Sequence, residues 1–214
     1  MEELLSFHGE LTSDEYVEYV DAFYREGLKG FGYNWVNFDV INVLYAAAKL
    51  IKPTNYLEIG VRRGRSLCTV VRGNPDVNLF AFDMWVENYA GMENPGPEYV
   101  NHELQKLGHR GHVQFINGNS QETIPQFFKE NPELKFDLIT VDGDHSEEGA
   151  FEDLQNVIPR LNIGGVIVFD DIAHPSHRYL HDVWHRVLEK FPHLSSFEFV
   201  ESGYGIAFAI KRGE

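Results

Sequence analysis

The stretch Leu57-Glu58-Ile59-Gly60-Val61-Arg62-Arg63-Gly64-Arg65-Ser66 decides the fold. An apolar strand, Asn55–Ile59, runs into a turn opened by Gly60, and Gly64 stands where a following helix begins. Gly60 lets the backbone turn and approach a ligand closely, and Gly64 allows the helix to pack near the strand. Amides at the start of such a helix face outward and suit an anion. A glycine turn that merely joins strand to helix has the same appearance, so the surrounding pattern has to decide.

Downstream, short apolar strands recur at Asn78–Phe82, Val113–Ile116, Phe136–Val141, Val166–Phe169, near Phe197–Val200 and at Ile206–Ile210. Helical segments at Ser66–Val71, Pro97–Leu107, Ser120–Lys129 and Glu148–Leu161 separate the first five, and helix near Ser176–Lys190 precedes the last pair. This alternation predicts an α/β, Rossmann-like doubly wound sheet, mostly parallel, covered on both faces. The short link Gly203-Tyr204-Gly205 predicts a C-terminal antiparallel hairpin. Upstream, Ser13-Asp14-Glu15 starts a helix carrying Tyr16, Val17, Tyr19, Val20 and Phe23 and ending near Gly27. A second helix spans Trp35–Ile51 and is closed by Pro53. Residues 1–52 are thus expected to form an N-terminal helical cap of the same domain, and 53–214 the core.

In parallel sheets of this kind ligands bind beyond the carboxyl ends of the strands. Asp83 ends the second strand, about twenty residues past the glycine turn, where a carboxylate can accept hydrogen bonds from ribose hydroxyls. The fourth strand ends Asp142-Gly143-Asp144-His145 and the fifth Asp170-Asp171. Neighbouring strands lie about 4.8 Å apart, so these carboxylates would converge. Converging carboxylates repel unless a cation compensates, and oxygen donors suit Mg²⁺ or a similar hard ion. Singly, each aspartate could equally cap a helix. His145 titrates near neutrality and can accept a hydroxyl proton, or can serve as a structural hydrogen-bonding group.

The motif Glu-x-Gly-x-x-x-Gly-x-Ser, with Asp83, resembles class I S-adenosylmethionine-dependent methyltransferases, over roughly Asn55 to Ile210. The resemblance implies that Glu58 and Gly60 lie near the methionine part of S-adenosylmethionine and that Asp83 holds the ribose. It also implies that Ser120 and Gln121 lie beside the adenine. Gly64, Ser66, Met84 and Asp142 are counted with these cofactor contacts. Arg62 and Arg65 depart from the family pattern; they are either contacts of the cofactor carboxylate or surface arginines. The segment Asp137–Asp171 is similar to metal-dependent small-molecule O-methyltransferases of the catechol type and of sugar and antibiotic tailoring. It implies Asp142, Asp170 and Asp171 as Mg²⁺ ligands, with Asp171 where catechol-type relatives often carry Asn. His145 stands where they place a lysine base. Trp85, Tyr89, His174 and His177 are candidate substrate contacts on loops flanking the pocket, and Gly32-Tyr33-Asn34-Trp35 is expected to reach over the cofactor.

A net charge of −15 argues against partners rich in phosphate, whether nucleic acid or anionic membrane. The lone Cys68 excludes an intrachain disulfide and reads as a packing residue. With no secretory start or membrane-length apolar run, a soluble cytoplasmic enzyme with a small hydroxylated substrate is expected, and a homo-oligomer stays open. The competing readings are a metal-independent methyltransferase, a non-catalytic cofactor-binding subunit and a nicotinamide-dependent dehydrogenase.

Overall fold

The strand at Asn55–Ile59 (β1) lies inside a seven-stranded sheet, third from one edge, in the computed structural model, which describes every residue except Tyr89, Ala90, Met92 and Glu214. The other strands are β2 (Asn78–Asp83), β3 (Val113–Asn117), β4 (Phe136–Val141), β5 (Leu161–Asp170), β6 (Leu194–Phe199) and β7 (Ile206–Lys211). Their order is β3-β2-β1-β4-β5-β7-β6. The first five are parallel, and β7 pairs antiparallel with both β5 and β6, giving the expected hairpin. Strand order reverses between β1 and β4, and at such a switch point the strand ends leave a crevice.

Side-chain alternation splits the core in two. Leu57, Ile59, Phe82, Ile139, Val141, Ile167 and Phe169 face one layer of helices: α6 (Ser120–Glu130), α7 (Glu147–Val157) and α8 (Tyr179–Lys190). Tyr56, Leu79, Ala81, Leu138 and Val168 face the other: α1 (Glu2–His8), α2 (Glu15–Phe31), α3 (Val40–Ile51), α4 (Arg65–Gly73) and α5 (Pro97–Lys106). Both faces are covered, which is why β1 and β4 read as nearly continuous apolar runs.

Several boundaries differ from the sequence expectation. α3 begins at Val40, not Trp35, because Asp39 is its N-cap and accepts from Asn42 N. α2 continues past Gly27 to Phe31. A Cβ at Gly27 would collide with the Trp35 ring, so that glycine makes room for a neighbour and does not end the helix. Trp35, expected with Gly32-Tyr33-Asn34 to reach over the cofactor, packs on α2, stacked near Phe31 and edge-on to Phe23. α1, absent from the sequence reading, buries Leu4 and Phe7 against the α2–α3 side of the core. α7 ends at Val157, and after a short 3-10 turn β5 already begins at Leu161. Among the described residues no helix is long and apolar enough to cross a membrane. Cys68 is buried, as expected.

Candidate active site

Sheet register brings the predicted residues to one edge. Ile59 pairs with Phe82 and with Val141, and Val141 pairs with Phe169, so Gly60, Asp83, Asp142 and Asp170 follow side by side. Two backbone bonds tighten the row: Gly60 N to the Phe82 carbonyl and Asp142 N to the Ile59 carbonyl, both 2.9 Å.

The glycines have reasons of their own. Gly60 has φ +85°, and a Cβ there would strike the Asp142 carbonyl oxygen. Gly64 has φ +71°, and a Cβ would press on the Val100 side chain of α5. Close packing of protein on protein therefore requires both. Gly60 thus also makes room for the backbone that follows β4. What remains for a ligand is the start of α4, whose first amides carry no side-chain cap among the described residues.

Glu58 is completely buried, accepting from Ser66 Oγ at 2.6 Å and from the Tyr56 hydroxyl, which also lies 2.8 Å from Thr140 Oγ1. Burial pushes its carboxyl up to about 8, against those two hydrogen bonds and assisted by the charges of Asp142 and Asp83. Asp83 is equally engaged. Oδ2 accepts from Val61 N and Arg62 N, and Oδ1 from Trp85 N and Asn94 Nδ2. Four bonds use the acceptor capacity of a carboxylate. The loop after β2 thus folds back over the glycine turn, held also by Arg62 Nε to the Glu93 carbonyl (3.4 Å) and by the Arg63–Glu93 pair. Of the loop residues singled out from sequence, Tyr89 lies outside the described residues. Trp85 packs edge-on against Phe115, 6.0 Å between centroids, and is half-buried.

Arg65 is neither a surface arginine nor free. It is buried, pairs with Glu103 at 3.3 Å and Asp14 at 3.4 Å, and donates to the Thr12 carbonyl. Fully buried Glu103 also accepts from Thr12 N, Thr12 Oγ1 and Lys106. Arg63 joins the same network through Asp14 (2.7 Å) and lies over the Tyr99 ring. These arginines anchor the segment before α2 to α4 and α5. Arg62, with φ +48°, is the arginine left at the rim.

On the far side of β1, Asp142 Oδ1 and Asp171 Oδ2 each lie 3.5 Å from His145 Nε2. All three donor atoms fall within 4.8 Å of one another. His145 Nε2 is buried, and at these distances and angles it makes no hydrogen bond among the described residues. Contact with Asp142 raises the imidazole pKa; burial opposes this, and the charges of Asp142, Asp171 and Asp144 add to it. Burial, then the Asp142 charge, pushes Asp171 up, and Asp170 rises further through burial and the charges of Asp142 and Asp171. Asp171 sits at φ +63°, a left-handed conformation that turns its carboxylate back toward β4. His145, not Asp170, completes the tight three-donor group, with Asp170 as a charged neighbour.

Tyr16 of α2, 44 % exposed as a residue, was not singled out in the sequence but feels the charge of this cluster. Its phenol is driven far above the usual value by burial and then by Asp170, Asp39, Asp142 and Asp171. The sequence showed it only as one of several aromatics along α2.

Beyond β3, Asn119 caps α6, Ser120 is buried and Gln121 Nε2 donates to Asp144 Oδ2 at 2.9 Å. Below them burial pushes Asp153 up to about 7, against the Ser120 hydroxyl. Met84, next to Asp83, is 60 % exposed, an apolar side chain without cover at a strand end. His145, His177 and His174 form a row with centroid spacings of 5.4 and 4.7 Å. Tyr179 fastens it, bonding His177 Nδ1 and donating to the His145 carbonyl. Burial, then the neighbouring His177 and His145, lower the His174 pKa.

Comparison with known proteins agrees with this architecture. The profile of the family described as "Methyltransferase domain" matches residues 57–172, more than half of the chain. The tapetum-specific methyltransferase 1 of Arabidopsis thaliana is 31% identical over 128 residues, 58% of this chain and 48% of that protein. A tetracenomycin-C 4'-O-methyltransferase of Streptomyces olivaceus is 28% identical over 148 residues, 56% of this chain and 54% of that protein. The chain thus spans about half the length of these curated relatives. An O-methyltransferase of Bacillus cereus, solved in complex with SAH, superposes with a TM-score of 0.61 at 17% identity, covering 94% of this chain and 92% of that one. Likeness at that identity extends the agreement to the fold.

Proposed function

Because the chain belongs to this methyltransferase-domain family, we propose that it is an S-adenosylmethionine-dependent O-methyltransferase acting on a hydroxyl of a small molecule, with a divalent cation such as Mg²⁺. The observation that carries the reading is the convergence of Asp142, His145 and Asp171 on one point, with His145 Nε2 buried and unbonded among the described residues. Asp170 and Asp171, whose carboxyls are driven up by burial and by neighbouring charge, stand beside Asp142 where a hard cation would relieve repulsion, so the donor set fits Mg²⁺. Asp142 and Asp171 would hold it, with Asp170 as third ligand or compensating charge. When bound, such an ion lowers the pKa of a substrate hydroxyl as a Lewis acid.

The chain's own residues would do the rest. In the cation-free protein the Asp142 and Asp171 carboxylates favour a proton on His145. With that charge compensated, Nε2 would be free to take the proton of the substrate hydroxyl; the cofactor, when bound, would supply the methyl group to that oxygen and leave as S-adenosylhomocysteine. The uncapped start of α4, with Arg62 at its rim, suits the carboxylate of the cofactor's methionine part, and Glu58 and Ser66 its neighbourhood. Arg65 is assigned to bracing, because its charge is already compensated by Glu103 and Asp14. Asp83 accepts ribose hydroxyls by exchanging its bonds to Trp85 and Asn94, so cofactor entry requires the loop after β2 to lift. Met84 supplies an apolar surface for the adenine ring, with Ser120 and Gln121 beside it. His174 and His177 line the approach of the acceptor. Residues 1–52 act as a cap, carrying Tyr16 and Asp39 toward the carboxylates.

The test is a screen of pooled hydroxylated sugars, phenols and natural products for a gain of one methyl mass, with S-adenosylmethionine and Mg²⁺. Product formation that stops on chelation and returns with Mg²⁺ is the expected result. Turnover undiminished by exhaustive chelation would remove the cation from the reading, and cofactor binding without turnover on any acceptor would make this a binding subunit.

A further inference from the structure

We propose a second metal site, remote from the strand-end crevice: His181, His185 and Glu198 bind a borderline transition-metal ion of the Zn²⁺ type and staple α8 to the edge strand β6. The two histidines are four residues apart, hence on one face of α8. His181 Nε2 lies 2.8 Å and His185 Nε2 3.1 Å from the same oxygen, Glu198 Oε2, and the three donor atoms fall within 4.8 Å of one another. The imidazole centroids are 4.5 Å apart. Tetrahedral bonds of about 2.0–2.1 Å to nitrogen and oxygen set donor atoms roughly 3.3 Å apart, close to this spacing.

The arrangement is preset by the packing beneath it. Between the histidines Trp184 is completely buried, and its Nε1 donates to Ser196 Oγ at 2.9 Å. Ser196 and Glu198 are two apart on β6, so they share the face turned to α8. That hydrogen bond fixes helix and strand in the register that sets Glu198 opposite His181 and His185. Two imidazoles and one carboxylate select Zn²⁺, Co²⁺ or Ni²⁺ over Mg²⁺, whereas the Asp142 cluster, richer in oxygen, has the opposite bias. The fourth position is left to water. The consequence for the fold is local: β6 is the edge strand, bonded only to β7 among the described strands. A metal clip from α8 adds a second hold on the edge.

The experiment uses the full chain, stripped by chelation and held in excess Mg²⁺, titrated with Zn²⁺ by calorimetry and with Co²⁺ by visible absorption. Expected is one saturating equivalent, with a four-coordinate Co²⁺ spectrum, that persists in Asp171→Asn. Both His185→Gln, on a half-exposed side chain, and Glu198→Gln should weaken it by more than the ~10–100-fold typical of groups outside the coordination sphere. Hydrogen exchange in β6 should slow when Zn²⁺ is added to the parent protein and not to His185→Gln. Absence of a saturable equivalent, or one that survives both substitutions or disappears in Asp171→Asn, overturns the site. The Asp171→Asn arm keeps this outcome separate from the fate of the proposed O-methyl transfer.

Discussion

Two clusters of charge flank the glycine turn, and they are built on opposite principles. On the α4–α5 side, Arg63 and Arg65 meet Asp14, Glu93 and Glu103, while Thr12 and Lys106 supply further hydrogen bonds to Glu103. On the strand-end side, Asp142 and Asp171 share one imidazole with Asp170 beside them, and that imidazole's Nε2 makes no hydrogen bond among the described residues. The first cluster is balanced in charge within the protein, although the buried Nε atoms of Arg63 and Arg65 make no hydrogen bond of good geometry among the described residues. The second carries an excess of negative charge. A buried charge that finds its partner inside the chain serves the fold; one that does not is held ready for a ligand.

The contrast is broken most severely by Asp171→Ala. Methyl transfer should fall by at least ~10³-fold, as expected for losing a cation ligand and with it several kcal/mol of charge stabilisation. Thermal denaturation in chelator should show the variant no less stable than the parent, because a repelling carboxylate is gone. A large loss of stability there would put Asp171 in the same class as Glu103. Arg65→Met is the reciprocal change. It removes one of the two cations at Glu103, leaving Lys106 and Thr12, and should cost about 1.5–3 kcal/mol in urea denaturation, while S-adenosylhomocysteine affinity of the folded fraction stays close to that of the parent.

Glu58 sharpens the comparison through pH. Its folded-state carboxyl is raised from 4.5 to about 8, so the stability it contributes is full below 4.5 and is lost as pH rises through about 8. The cation-free protein should therefore weaken across that window by an amount on the order of a few kcal/mol, and Glu58→Gln should flatten the dependence. His145→Gln is the smallest of these effects: kcat down by about 10²-fold, with cofactor binding retained and the pH–rate profile losing its acidic limb. An unchanged profile would assign the imidazole a structural role.

β1 and β4 were legible to the residue because double burial leaves an uninterrupted apolar run that few other environments produce. Asp83, Asp142 and Asp170 were legible because they end such runs. Arg65 was not, since its burial depends on Glu103 and Asp14, far along the chain, and nothing local distinguishes it from Arg62. Tyr16 was hidden by its position in an aromatic stripe, where periodicity reports a face of the helix but not what that face meets. Gly60 was recognised for its conformational need, but the close approach of the Asp142 backbone was not visible in the sequence. Such residues are defined by the third dimension, and their signal in a single sequence is correspondingly small.

The direct measurement is calorimetric titration of Mg²⁺ into the protein saturated with S-adenosylhomocysteine, run on the parent chain and on Asp171→Ala. One Mg²⁺ bound by the parent and none by the variant is the outcome that the unbalanced cluster requires. No binding by the parent at millimolar Mg²⁺, or equal binding by both proteins, would contradict it.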